Sequence, residues 1–215
     1  MVLSTWICVF MKNEKIIKAL AELEKMKLPA QVQWKFWCKK NKTAQDRQEI
    51  MIGAILAQNT SWRNVELAIQ KLRKAKMLTL NKYLNLPAGD NSLLQEIIKP
   101  AGFFRSKSQY LQNLAKFVKT KGSLNKLKQL DLPELRRALL SVKGIGKETA
   151  DSILNYALDK PIFVIDEYTR RFCQKFKIIN KKDYDSLQKL FMNNLPIDYR
   201  IYQKVHAGIV CFFKK

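Results

Sequence analysis

A Gly-x-Gly turn between two helical patterns restricts the fold of this chain more than any other feature. Residues 140–151 read Leu-Ser-Val-Lys-Gly-Ile-Gly-Lys-Glu-Thr-Ala-Asp. One helix ends here, the chain turns at Gly144 and Gly146, and a second helix begins at once. Because glycine permits tight turns and close approach of the backbone to another molecule, the segment predicts a helical hairpin with an accessible turn.

The turn of this hairpin is suited to bind an anion. The second helix begins with N–H groups that have no intrahelical partner, and such a position favours negative charge. Two lysines and two glycines are therefore expected to hold a DNA phosphate without reading sequence: Lys143, Gly144, Gly146 and Lys147. An ordinary helix–helix corner with glycine as a cap is the structural alternative.

The rest of the chain is dominated by helical periodicity. Apolar residues recur at spacings of three and four in three segments, residues 110–118, 135–142 and 150–157. Residues 50–57 form a nearly continuous apolar run, typical of a helix buried on all sides. Asp131 and Glu134 predict a capping box at another helix start. Residues 162–165 are strand-like but short, and we interpret them as an extended connector within an all-α fold.

The charge of the chain indicates a polyanionic partner. The 215 residues include 40 Lys and Arg against 18 Asp and Glu, a net charge of +22 that is spread along the chain. Nucleic acid is the commonest partner of such a surface. A solvated, lysine-rich surface would give the same composition.

Cysteine and hydropathy patterns argue against a zinc protein, a disulfide-stabilised protein and a membrane-spanning protein. The four cysteines contain no CxxC pair: Cys8, Cys38, Cys173 and Cys211. With His206 as the one histidine, neither a zinc site nor a disulfide framework is expected, and a reducing cytoplasm fits. Residues 2–11 are apolar but too short to span a bilayer. Translation starting at Met11 instead of Met1 is a further hypothesis.

Four motifs in order carry a resemblance to a known family. They are residues 56–62 (Leu-Ala-Gln-Asn-Thr-Ser-Trp), 102–107 (Gly-Phe-Phe-Arg-Ser-Lys), 140–150 and 159–168 (Asp-Lys-Pro-Ile-Phe-Val-Ile-Asp-Glu-Tyr). Together they resemble the helix-hairpin-helix DNA glycosylases, the group that includes endonuclease III. Residues 143–148, Lys-Gly-Ile-Gly-Lys-Glu, are most similar to the bacterial 3-methyladenine glycosylase branch. The resemblance implies two helical lobes with an active-site cleft between them.

Asp166 stands where this family has its essential aspartate, at the end of the connector. The resemblance implies that the damaged base is flipped out of the duplex. The Asp166 carboxylate would then stabilise the oxocarbenium character of the sugar and help to deprotonate or orient the attacking water. A plain N-cap aspartate is the alternative.

Glu148 occupies the position at which bifunctional members of the family carry a nucleophilic lysine. A carboxylate cannot form a Schiff base, so we expect a monofunctional enzyme that leaves an intact abasic site. Lys147 could serve instead if the turn were shifted by one residue. Glu148 could also be a solvated acid in the first helical turn.

Aromatic side chains are candidates for the base pocket, because a cationic alkylated purine is drawn to aromatic faces by roughly 0.5–2 kcal/mol per contact. The alkyladenine branch implies this role for Trp62 directly and for Trp34 and Trp37 more loosely. Core packing is the alternative for all three. Gln58 and Asn59 match the loop that enters the space left by the flipped base, although they could simply end a helix.

Many relatives bind an iron–sulfur cluster through four C-terminal cysteines. Residues 206–211, His-Ala-Gly-Ile-Val-Cys, resemble the segment that leads to the first of these cysteines, but no further cysteine follows. We therefore expect no cluster and a buried Cys211. The hairpin could also bind a monovalent cation, and we expect no other metal ion. We interpret His206 as structural, or as a phosphate or pocket contact. Lys107 is expected to pack or to touch phosphate at the surface.

These observations predict a helical barrel lobe with the hairpin over residues 46–155, and a second lobe that combines residues 1–45 with 156–215. We expect a monomer that binds damaged double-stranded DNA in the cytoplasm, at the bacterial nucleoid. We expect no association with a membrane. Three functions stay open: an alkylpurine glycosylase without lyase activity, a glycosylase for an oxidised pyrimidine or a mismatch, with or without lyase activity, and a non-enzymatic DNA-binding module. Asp166 argues against the last, and the tryptophans with Glu148 favour the first.

Overall fold

A computed structural model describes residues 13–25, 32–86, 92–179 and 183–214. The chain divides into two compact units, Asn41–Leu158 and the combination of Met1–Lys40 with Asp159–Lys215. The described residues form helices and no strand, which confirms the predicted all-α fold. None of these helices is long and apolar enough to cross a membrane. The hypothetical start at Met11 lies outside the described residues.

Twelve α-helices are found among the described residues. In chain order they are α1 (Glu14–Lys25), α2 (Val32–Trp37), α3 (Ala44–Leu56), α4 (Trp62–Lys74), α5 (Ser92–Ile98), α6 (Phe104–Thr120), α7 (Leu124–Gln129), α8 (Leu132–Leu140), α9 (Lys147–Ser152), α10 (Glu167–Lys175), α11 (Tyr184–Asn194) and α12 (Tyr199–Phe213). Two 3-10 helices, Leu80–Tyr83 and Lys99–Ala101, and a π-helix, Ile153–Ala157, complete the secondary structure.

Helix α3 is the buried helix of the unit Asn41–Leu158. It begins with a capping box, because the Thr43 hydroxyl accepts from the Asp46 N–H at 3.1 Å and the Asp46 carboxylate accepts from the Thr43 N–H at 2.8 Å. Every residue from Ile50 to Leu56 is buried, which confirms the predicted burial except at Ala57, the partly exposed C-cap residue. Arg47 donates to the carbonyl of Ala157 at the end of the π-helix, so this buried acceptor is satisfied.

Helix α8 begins differently from the prediction. Asp131 is the N-cap residue by backbone position, but its side chain makes no capping hydrogen bond. The predicted capping box at Asp131 is therefore wrong. Pro133 in the first turn fixes a helical φ without needing an N–H partner, so this start depends less on a side-chain cap.

The unit Met1–Lys40 with Asp159–Lys215 has its own apolar core, in which α1, α10, α11 and α12 contribute buried residues. Residues 162–165 form neither helix nor strand and are buried, in agreement with the predicted connector. Phe163 stacks on Phe191 with ring centroids 4.2 Å apart, and Gln188 donates to the Phe163 carbonyl at 2.7 Å. These contacts hold the connector, and thereby the residue that follows it, Asp166.

Candidate functional site

Asp166 is the N-cap residue of α10. Its Oδ1 atom accepts hydrogen bonds from the Thr169 N–H at 2.7 Å and from the Thr169 hydroxyl at 2.9 Å. The capping role that we considered as the alternative is therefore present. It uses one carboxylate oxygen and leaves Oδ2 for other contacts, so capping does not preclude a chemical role.

His206 lies beside the second oxygen of Asp166. The His206 Nε2 atom is 3.4 Å from Asp166 Oδ2, and the two side chains are 6% and 15% exposed. His206 lies in α12, whose residues 205–211 are all buried. The sequence singled out no partner for this histidine. The one feature of the sequence that could have indicated a buried polar contact is this polar ring within the otherwise apolar segment 205–211.

The surroundings of Asp166 favour its ionised form. Burial raises the pKa of this carboxyl, but the contact with His206 and the two Thr169 hydrogen bonds lower it by more, and the pKa lies below its ordinary value. A carboxylate in a buried, polar setting can stabilise a nearby cation more strongly than one in water can.

Trp34 packs against His206, the neighbour of Asp166. Its ring meets His206 edge-on with centroids 5.8 Å apart, and it meets Trp37 edge-on at 6.1 Å. Trp34 is partly exposed, whereas Trp37 is 5% exposed and belongs to the core. The structure thus brings Trp34, His206 and Asp166 together within one unit.

Trp62 belongs to the other unit, Asn41–Leu158. It is the first residue of α4, directly after Ser61, whose side chain caps the helix by accepting from the Asn64 N–H. Its side chain is partly buried. Its assignment to the base pocket stays a prediction.

The hairpin between α8 and α9 has two different glycines. Gly144 has φ +96°, and a Cβ atom added there would collide with the Tyr110 ring of α6. Gly146 is the N-cap residue of α9 with φ −88°, and a Cβ atom there would meet nothing within 4 Å. Gly144 is thus required by the fold, whereas Gly146 leaves the start of α9 open to an approaching group.

Charged residues surround this open start. Lys143, Lys147 and Glu148 are all exposed, and the Lys143 carbonyl accepts from Asn113 Nδ2 of α6 at 2.9 Å. Glu148 lies in the first turn of α9, where an acid is favourable. The predicted phosphate contacts therefore share one exposed turn that α6 supports.

Gln58 connects the loop after α3 to the hairpin. Its Nε2 atom donates to the Gly144 carbonyl at 2.9 Å and to the Thr149 hydroxyl at 3.0 Å. Asn59 is exposed and has φ +50°. In the described state Gln58 supports the hairpin turn, a contact that the sequence did not predict. Its role in DNA binding, and that of Asn59, stay predictions.

Lys107 is packed in the interior, which is one of the two locations expected for it. It is 1% exposed, and its Nζ atom donates to the Leu56 carbonyl at 2.8 Å and to the Ala101 carbonyl at 2.7 Å. The expected packing of Lys107 is therefore confirmed, and the alternative of a surface contact with phosphate is wrong. The reason is that α3 ends at Leu56 with carbonyls that need donors, and Lys107 supplies one.

The described cysteines do not form the set that an iron–sulfur cluster needs. Cys38, Cys173 and Cys211 are free thiols, and Cys173 and Cys211 are both 3% exposed. Burial raises the pKa of Cys173 to about 12 and also raises that of Cys211. The burial of Cys211 confirms the predicted core position, and the absence of an iron–sulfur cluster stays a prediction.

Comparison with known proteins assigns most of this chain to one family. Residues 52–196 match the profile of the HhH-GPD superfamily base excision DNA repair proteins. A Methanocaldococcus jannaschii protein, provisionally named a DNA repair glycosylase, is 46% identical over 176 residues, which cover 80% of this chain and 79% of that protein.

Two solved structures share the fold. The Helicobacter pylori 3-methyladenine DNA glycosylase, bound to 1,N6-ethenoadenine, is similar with a TM-score of 0.70 and 29% identity over 92% of this chain and 96% of that chain. A non-covalent endonuclease III–DNA complex is similar with a TM-score of 0.72 and 20% identity, over 95% and 86% of the respective chains.

Proposed function

Because this chain belongs to the HhH-GPD superfamily of base excision DNA repair proteins, we propose that it is a monofunctional DNA glycosylase. Its substrate is an alkylated purine, such as 3-methyladenine, in double-stranded DNA. The observation that carries the proposal is the Asp166 carboxylate, which is held by Thr169 through one oxygen and faces His206 with the other. The 29% identity to a 3-methyladenine glycosylase supports the substrate class.

The reaction is hydrolysis of the N-glycosidic bond. The electron pair of the bond leaves with the base and neutralises the positive charge of the alkylated ring, while positive charge develops on the sugar. The Asp166 carboxylate stabilises that charge. A water oxygen then bonds to C1′, and Asp166 orients this water and accepts its proton.

Trp34 is the aromatic residue that we assign to the damaged base. It is partly exposed and belongs to the unit that holds Asp166. A cationic purine stacked on this ring would gain cation–π attraction that a normal base does not. Trp62, in the unit Asn41–Leu158, is the second candidate for contact with the damaged base. Trp37 supports Trp34 from the core.

We assign DNA binding to the hairpin, and no step of the reaction. Lys143, Lys147 and the open start of α9 at Gly146 can hold a backbone phosphate of the duplex. Glu148, in the position of the lyase nucleophile, cannot form a Schiff base. We therefore propose that the product is an intact abasic site, and that the reaction requires no iron–sulfur cluster.

Base release from defined duplexes tests this function. The substrates each carry one lesion: a methylated purine, 1,N6-ethenoadenine, an oxidised pyrimidine or a mismatch. We expect release of the alkylated purines, with strand breaks only after alkali. Breaks without alkali, or trapping of the enzyme on DNA by borohydride, would contradict monofunctional action. Release of the oxidised pyrimidine or mismatched base alone would overturn the substrate class.

Asp166→Asn tests the assigned chemistry. Asparagine keeps an oxygen that can cap α10 but removes the negative charge, so base release should be lost while the protein stays folded and binds DNA. Asp159→Asn is the matched control, because it makes the same change at the start of the connector, where φ is +56° and asparagine is tolerated. Equal base release by both variants would refute the role of Asp166.

A further inference from the structure

His206 is held in one orientation by aromatic neighbours. The Trp34 ring meets it edge-on at 5.8 Å and an interplanar angle of 88°, and the Phe163 ring meets it at 6.3 Å and 85°. Close packing from two sides restricts the rotation of a buried ring. The Nε2 atom of this ring lies 3.4 Å from Asp166 Oδ2.

The two oxygens of Asp166 thus have partners on two different helices, α10 and α12. Thr169, three residues later, donates twice to Oδ1, and His206, on another helix, approaches Oδ2. A separation of 3.4 Å is long for a hydrogen bond. Catalytic hydrogen bonds are often long in the free enzyme and shorten when the substrate is bound.

We propose that His206 is a positioning residue for Asp166: its Nε2–H group donates to Oδ2, keeps this oxygen anionic and aims its remaining lone pair at the sugar and the attacking water. This inference rests on the proposed glycosylase function. It deepens that function, because the reaction needs a carboxylate that stays charged in a site shielded from solvent. Burial alone would favour the neutral acid, and His206 opposes that tendency.

Few other charged groups face this pair among the described residues. Lys214, one residue beyond α12, interacts electrostatically with Asp166 and with Cys211, and its amine lies 5.3 Å from the centre of the Tyr168 ring. Burial lowers the pKa of Lys214, and Asp166 and Cys211 raise it by less. Lys214 adds positive charge near Asp166, but it does not occupy the Oδ2 contact that defines the role of His206.

Two substitutions separate a positioning role from a packing role. Glutamine can place its amide nitrogen where Nε2 lies, whereas asparagine reaches only to the position of Nδ1. His206→Gln and His206→Asn both lose the ring contacts with Trp34 and Phe163, but only His206→Gln keeps a donor for Oδ2. A merely structural histidine would make the two variants equal.

Rates and titrations of these variants test the inference. In single-turnover base release we expect His206→Asn to be slower by about 10- to 100-fold, the range typical for loss of a hydrogen-bond partner that orients a metal ligand, and His206→Gln to recover most of the rate. The acid limb of the pH–rate profile should move to higher pH in His206→Asn, because Asp166 would be protonated more easily. Binding to a duplex with a stable abasic-site analogue should not change.

A direct measurement does not depend on the lesion. The carboxyl ¹³C shift of Asp166, identified by its loss in Asp166→Asn, should titrate at higher pH in His206→Asn than in wild type or His206→Gln. Identical titrations in all three proteins would overturn the positioning role. If the titrations differ but wild type releases no alkylated purine, the proposed function fails and the contact between the two residues stands.

A wild-type measurement covers the case in which both variants unfold. The chain has one histidine, so the ring ¹H–¹⁵N spectrum of the protein needs no assignment. We expect a proton on Nε2 at every pH at which Asp166 is ionised. A neutral ring that carries its proton on Nδ1 alone would leave Oδ2 without this donor and would overturn the inference.

Discussion

Arg136 and Asp151 join the two helices that flank the hairpin. Arg136 Nε lies 2.7 Å from Asp151 Oδ1, and Arg136 Nη2 lies 3.0 Å from Oδ2. The Asp151 side chain is fully buried and that of Arg136 is 22% exposed. This two-point contact links α8 to α9 and fixes the angle at which the hairpin turn is presented.

Breaking this pair should destabilise the protein asymmetrically. Arg136→Met leaves the buried carboxylate of Asp151 without its guanidinium and should lower the free energy of unfolding by about 3–5 kcal/mol. Asp151→Asn leaves a partly exposed arginine, which can reach water, and should cost less. Urea denaturation of both variants and of the double variant gives the coupling energy. An equal loss for the two single variants would contradict this account.

The two hairpin glycines should respond differently to alanine. Gly144→Ala must adopt a left-handed φ and displace Tyr110, so the free energy of unfolding should fall by at least about 1–3 kcal/mol. Gly146→Ala has open space and an ordinary φ, and stability should be unchanged or rise by up to about 1 kcal/mol.

Duplex binding distinguishes the two glycines further. The methyl group of Gly146→Ala would stand where a phosphate approaches α9, so binding to an abasic-analogue duplex should weaken although the variant is well folded. Fluorescence anisotropy measures this. Unimpaired binding by Gly146→Ala would argue against a phosphate at the start of α9.

Lys143 and Lys147 should determine the salt dependence of DNA binding. Replacing both by alanine should reduce the slope of log K against log salt concentration by about two, close to one for each lost phosphate contact. The loss of affinity should be similar for undamaged and damaged duplexes, because phosphate contacts carry no sequence information. A loss confined to the damaged duplex would instead indicate contacts near the flipped base.

Gln58 should contribute to stability through the hairpin. Gln58→Ala leaves the Gly144 carbonyl and the Thr149 hydroxyl without this donor, and the free energy of unfolding should fall by about 1–3 kcal/mol. Asn59→Gly is the matched control in the same loop, because glycine suits φ +50° and should not destabilise. Thermal unfolding of both variants checks this, and similar losses would count against the contact.

Lys107 should make the stability of the protein depend on alkaline pH. Burial lowers its pKa from 10.5 to about 8, so between these values the unfolded chain binds more protons than the folded chain does. Raising the pH through this window therefore favours folding as far as Lys107 is concerned. The free energy of unfolding of wild type should rise relative to Lys107→Met when urea denaturation is repeated at pH 8 and pH 10. A constant difference would contradict the depressed pKa.

Local patterns in the sequence were sufficient to predict much of the fold. The helices, the hairpin turn and the burial of residues 50–56 follow from apolar spacing and glycine positions, because these depend on neighbours along the chain. The connector up to Asp166 was identified by its short apolar run and by family resemblance. The family itself was predicted from four motifs, and residues 52–196 confirm it.

Contacts between distant segments were not predictable in this way. His206 meets Asp166, and Gln58 meets Gly144, a residue 86 positions further along the chain. The sequence shows the polar groups but not which buried partner each one satisfies. For Lys107 the sequence left packing and a surface phosphate contact open, and the carbonyls at the end of α3 decide for packing.

The burial of Lys107 also makes it an internal reporter of motion. An amine-reactive reagent can modify exposed lysines in the native protein. It can reach the Lys107 amine only after α3 and the 3-10 helix Lys99–Ala101 separate from it. Peptide mass spectrometry of a labelling time course would thus give the rate at which this part of the molecule transiently opens, without any engineered probe.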